Sequence, residues 1–162
     1  MTWAAIAILS LVTAQRLAEL WLSNRNTRRL LKQGAVEVGR GHYPLIIAVH
    51  VAWLAALWWF APGRPIVWPL VIAFALLQLA RVWVIKTLGR RWTTRIIVLP
   101  GAPLVRRGPY QFVDHPNYLI IALEIAVLPL AFGLAGVALV FSVLNAAALS
   151  VRIRAENEAL SR

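Results

Sequence analysis

Apolar residues fall into five runs along this chain, separated by polar gaps of very different length. Residues 2–22, 44–61 and 66–85 are each long enough to cross a bilayer at about 20 residues per helical span. Two shorter runs, 118–132 and 134–150, flank Gly133 and read as a helical hairpin. The run 118–132 is short and contains Pro129, so a tilted or shallow helix is expected there. The first run lacks a basic start and a small-residue cleavage site, so it reads as a span and not as a signal peptide. The gaps are a polar connector starting at Ser23, a tight turn at Pro62–Pro65, a long connector at 86–117 and a polar tail at 151–162 that continues the last helix. The expected fold is therefore all-α: one polytopic membrane domain, 1–162, of about five transmembrane helices.

Charge orients this pattern. Of 17 lysines and arginines, the first connector, the long connector and the tail hold all but three: Arg64 in the tight turn and Arg16 and Arg81 inside spans. Basic loops stay cytoplasmic, which places the N-terminus outside and the C-terminus inside. A formal net charge of +11 raises nucleic acid as a partner. The cations, however, sit in the gaps between apolar runs, and charged residues make up only 14% of the chain, so a membrane setting accounts for them better and nucleic-acid binding is not expected. There is no cysteine and only three scattered histidines, which leaves no thiolate site and argues against a structural zinc.

Ionisable residues inside spans are costly and point to function. Arg16 and Glu19 lie three apart and are expected to pair on one helix face. Arg81, a turn from the end of its span, reads first as an interface anchor that snorkels to the headgroups. His50 must face the bundle interior or a wet cavity, either as part of a site or as a neutral imidazole joining two helices. Glu124 lies two helical turns beyond Asn117 and needs a partner, which favours a place in or just behind a site. On the last helix Asn145, Arg152 and Glu156 form a polar file within about 40° of one line. Arg154 and Glu158 lie off that line and read as a solvated helix end.

The stretch Arg106–Ile125, RRGPYQFVDHPNYLIIALEI, carries the densest chemistry. Gly108-Pro109 marks a turn, and Pro116 suits the first position of a helix that His115 or Asn117 caps. The free N–H groups of that helix start favour a carboxylate or another anion. Interfacial tyrosines on a capped helix would account for Tyr110 and Tyr118. They leave His115, Asn117, Glu124 and the file on the last helix unexplained.

This stretch, followed by a short hairpin and RIRAENEAL, resembles the isoprenylcysteine carboxyl methyltransferase family over 88–160. GAVEVGRGHYP and RWTTRIIVLPG look more like a bacterial subgroup that methylates alkylpyrones. The resemblance implies an integral membrane enzyme that uses S-adenosylmethionine. Its cofactor pocket would be lined by Tyr110, His115, Pro116, Asn117 and Tyr118 and closed by Glu156, with Arg152 near the transferred methyl and the acceptor oxygen. Two positions depart from the family pattern: Asp114 stands where an arginine is usual, and Asn157 where a second glutamate is usual. The chemistry expected is O-methylation of a carboxylate or enol on a lipophilic small molecule that enters from the bilayer. Arg152 would orient the oxyanion, and His50 or Glu124 would assist a less acidic hydroxyl. Two other readings stand beside it. One is methylation of a prenylated peptide or a phospholipid amine. The other is a non-enzymatic lipid-binding or transporter-like membrane protein.

Overall fold

In the computed structural model, which describes residues 2–160, five helices carry nearly all of the chain. They are α1 (Thr2–Lys32), α2 (Tyr43–Phe60), α3 (Trp68–Leu88), α4 (Pro116–Ala131) and α5 (Ala135–Leu160). Four of them, all but α4, are long and apolar enough to cross a membrane. Large apolar side chains face outward along these helices, among them Trp3, Leu11, Trp59 and Leu79. That surface suits lipid and would be a liability in water. The chain is an integral membrane protein.

Helix ends follow the local chemistry. Prolines stand in the first turns of α2, α3 and α4, where a missing N–H costs nothing. Gly133 takes a positive φ between α4 and α5, which pack against each other. The main buried core joins Leu9 of α1, Trp53 and Leu57 of α2, Leu128 of α4 and Phe132. Trp53 donates its indole N–H to the Ile125 carbonyl at 3.2 Å, a group freed because Pro129 has no N–H to return.

Three features differ from the sequence reading. First, α1 does not end near Leu22 but runs ten residues further, to Lys32. The segment 23–32 lost hydropathy without losing helix propensity, and one face of it is buried: Ser23, Asn26, Thr27 and Leu30. Asn26 donates to the carbonyls of Trp92 and Gly89 at 2.7 and 3.3 Å, and Ser23 accepts from the Thr94 amide at 2.8 Å. The extension is thus the post on which the long connector is hung. Second, the helical fold also holds a small antiparallel sheet, β1 (Val36–Val38) with β2 (Ile96–Val98), that staples the two long connectors together. Arg95 reinforces it by bonding Glu37 at 2.7 Å and covering the Tyr43 ring. Third, Arg81 is not a headgroup anchor: it is only 4% exposed and is held by two carboxylates.

Replacing Asn26 with alanine should lower thermal stability in detergent by about 1–3 kcal/mol, because a buried carbonyl at Trp92 loses its donor. An unchanged melting temperature would show that the connector does not depend on this post.

Candidate active site

Between the start of α4, the end of α5 and the long connector lies a cavity of about 960 Å3. This is at the upper end of the ~300–1,000 Å3 usual for small-molecule sites. Its polar wall is built by the threshold residues. After the extended residue Arg107, Gly108 takes φ +58, and a Cβ there would sit 2.7 Å from the Thr87 hydroxyl. That close approach presses the short 3-10 turn Gly108–Gln111 against α3 and turns Tyr110 into the cavity. Burial, and after it the nearby Glu156 carboxylate, pushes the Tyr110 phenol above its ordinary value, so it stays a neutral donor at physiological pH. His115 occupies the N-cap position of α4 without capping it through its side chain, and so keeps its ring for other partners.

Those partners come from α5. The His115 ring stacks on Tyr118 with centroids 5.2 Å apart, its Nε2 meets the Asn157 carbonyl oxygen at 3.2 Å, and its Nδ1 lies 3.7 Å from Glu156. The Tyr118 hydroxyl donates to Glu156 and accepts from Nε of Arg152 at 2.8 Å. The result is a chain Arg152–Tyr118–Glu156 that ties the two helices and ends in a carboxylate facing the cavity. The Arg152 guanidinium also lies over the Tyr118 ring, 5.2 Å from its centroid. Among the described residues it makes no other hydrogen bond, so its two terminal nitrogens can serve a ligand oxygen.

The predicted site residues divide cleanly. Tyr110, His115, Asn117, Tyr118, Arg152 and Glu156 all line the cavity, whereas Pro116 is buried behind it as the first residue of α4. Both departures from the family pattern line it too: Asp114, and Asn157, which has become a partner of His115. His50 and Glu124 are elsewhere. His50 bonds the Ile46 carbonyl of its own helix at 2.8 Å and does not line the cavity. Glu124, with 0% exposure, sits in an ion cluster below the cavity. Missed by sequence reasoning were Arg91, Trp92, Arg95 and Arg106 and an apolar wall that includes Leu30, Ile97, Leu99 and Leu104. Arg91, Trp92, Arg95, Ile97 and Leu99 lie in the RWTTRIIVLPG segment and Arg106 opens the stretch of dense chemistry, but neither signal says which direction a side chain takes.

The cluster joins three helices. Arg81 of α3 grips Glu19 of α1 with two bonds of 2.7 Å and reaches Glu124 of α4 at 3.2 Å. Arg16 spans the same two carboxylates at 3.1 and 2.6 Å. Gln78 donates to Glu124 at 2.8 Å, and Gln15 donates to both Gln78 and Glu19. Two guanidiniums and two carboxylates cancel, the condition under which charges tolerate a low-dielectric interior.

The family model of the isoprenylcysteine carboxyl methyltransferase (ICMT) family matches residues 70–162, which hold α3, the cavity's polar wall and α5. That match makes the chain a membrane methyltransferase. The chain belongs to the ICMT family. It is 42% identical to "Uncharacterized protein YpbQ" of Bacillus subtilis (strain 168), over 99% of this chain and 96% of that one. It is 29% identical to an "Uncharacterized protein" of Haemophilus influenzae, over 93% of this chain and 91% of that one. No solved structure matches.

Proposed function

We propose that this protein transfers a methyl group from S-adenosylmethionine to an oxygen, a carboxylate or an enol, of a lipophilic small molecule such as an alkylpyrone or isoprenoid. The observation that carries this reading is the mixed lining of the cavity: polar and charged side chains of the α4 start, α5 and the connector's arginines meet apolar ones of the connector and Leu30, as two reactants of opposite polarity require. The residues fit the cofactor. Asn117 and Trp92 both line the cavity, and Asn117 Oδ1 and Trp92 Nε1, buried behind its surface, have no hydrogen-bond partner within the protein. Asn117 and Glu156 would hold an ammonium or ribose hydroxyls. Arg91 and Arg106 would supply the cation for a carboxylate that Asp114 no longer provides. The bound cofactor supplies an electrophilic methyl on a sulfonium.

The chain's own task is positioning and charge management, for which effective molarity can contribute roughly 7–11 kcal/mol. Arg152 is fixed at Nε by Tyr118 and offers its outer edge to the acceptor oxyanion. Four arginines against Asp114 and Glu156 make the cavity suit an anionic acceptor better than an amine. An oxygen already ionised near neutral pH needs no strong base, so His50 and Glu124 need not touch the reacting atoms. We place the site on the cytoplasmic side, with five spans and the N-terminus outside, on the strength of the charge asymmetry. A C-terminal reporter active only outside the cytoplasm would contradict that orientation.

The direct test is transfer of an isotope-labelled methyl from S-adenosylmethionine to lipid extracts by the detergent-purified protein. Label should appear in an ester or enol ether. Label found only in phospholipid amines would replace the proposed acceptor class. His115→Ala and Glu156→Ala should each weaken cofactor binding by roughly 1.5–3 kcal/mol while the protein stays folded. If both bind like the parent, the cofactor lies elsewhere.

A further inference from the structure

The extension of α1 presents a second chemical surface, on the face opposite the one that builds the cavity. Ser23, Asn26 and Leu30 point inward, whereas Trp21, Arg25, Arg28, Arg29 and Lys32 are exposed and line a groove of about 610 Å3. At 3.6 residues per turn, Trp21, Arg25, Arg28 and Lys32 fall within about 60° of arc. None of the four cations is in a salt bridge with an acidic residue among the described residues, and Arg25 lies 5.6 Å from the Trp21 ring centroid. The same face continues into the apolar run through Leu17, which, like Trp21, is 63% exposed. Above is a row of unpaired cations, below is lipid-facing apolar surface, and a tryptophan stands at the junction.

We propose that this face is a binding site for an anionic phospholipid. The cations would hold its phosphate and headgroup while its acyl chains lie along Leu17 and Trp21. Charge complementarity argues for the anion. Continuity with the apolar face argues for a lipid over a soluble phosphate, which would leave Leu17 and Trp21 unused. Tryptophan is the residue that settles at headgroup level, and clustered basic residues just beyond a span attract anionic lipid. Because Asn26 and Leu30 sit on the reverse of the same helix, a lipid held here would steady the post that carries the cavity's connector.

The test is native mass spectrometry of the full chain released from mixed micelles of phosphatidylglycerol and phosphatidylcholine. The parent should retain phosphatidylglycerol preferentially. Arg25→Gln/Arg28→Gln/Lys32→Gln should reduce that preference on the order of 10–100-fold, each cation near an anionic surface being worth about a fivefold factor. Lys86→Gln/Arg90→Gln/Arg107→Gln, with the same loss of charge elsewhere in the basic connectors, should keep it. Should the triple variant fail to fold, Arg28→Gln alone should weaken the preference about fivefold. The proposal is overturned by equal retention of both lipids in the parent, by an unchanged preference in the α1 variant, by an equal loss in the control, or by displacement of the lipid with an equimolar amount of inorganic phosphate.

Discussion

Glu124→Ala should destabilise the protein by about 3–5 kcal/mol, the usual cost of removing one partner from a buried ion cluster. The substitution leaves Arg16 and Arg81 facing Glu19 alone, so one positive charge goes uncompensated in a largely buried cluster. Gln78 loses its acceptor as well. The damage should spread to the site, because Glu124 fixes α4 two turns from Asn117. Melting in detergent, followed by circular dichroism, is the measurement. Glu124→Gln separates the two roles open to this residue. If Glu124 only holds helices together, the glutamine variant should melt early, and what remains folded should bind cofactor and turn over near the parental rate. Normal melting with abolished turnover would instead put Glu124 at the reacting atoms.

Arg152→Lys should lower turnover by one to several powers of ten, on the order of 10–1000-fold, while cofactor affinity stays close to that of the parent. Lysine keeps the charge but loses the planar fork. In this site the fork has two jobs. Its Nε anchors to Tyr118, and in the proposed reaction its outer edge would meet the acceptor. A single ammonium cannot do both, and misplacement by ~1 Å near the reacting atom can cost about 100-fold. Steady-state kinetics on the identified acceptor, with cofactor binding measured separately, distinguishes the alternatives. Lost affinity with normal turnover at saturating cofactor would move Arg152 to the cofactor side. No change in either would reduce it to a brace between α5 and Tyr118.

Much of this was legible in the sequence for identifiable reasons. Pro116 marks the start of α4, and Gly133 marks the turn before α5. The Arg16–Glu19 pair follows from spacing on one helix. The polar file on α5 foretold that Arg152 and Glu156 would act together, and both meet Tyr118. What spacing could not give was contact across helices. Arg81 has carboxylate partners 62 and 43 residues away, so its pairing depends on how α1, α3 and α4 dock. The length of α1 was hidden because hydropathy reports where lipid ends, not where a helix ends. The β1–β2 sheet was hidden because two three-residue strands some 60 residues apart carry no periodicity of their own. Trp92 stood in the sequence as part of RWTTRIIVLPG, but nothing there told that Asn26 holds its carbonyl at the cavity edge.

The central claim is that the cavity between α4, α5 and the long connector holds S-adenosylmethionine. Isothermal titration calorimetry of the full chain in detergent tests it most directly, with Asn117→Ala as the comparison, because Asn117 lines the cavity from the first turn of α4. The account predicts saturable binding at one site per chain, weakened in the variant by roughly 1.5–3 kcal/mol, the loss of one hydrogen bond to the cofactor's charged end. A folded parent that gives no heat of binding at millimolar cofactor, or a variant that binds as tightly as the parent, would contradict it.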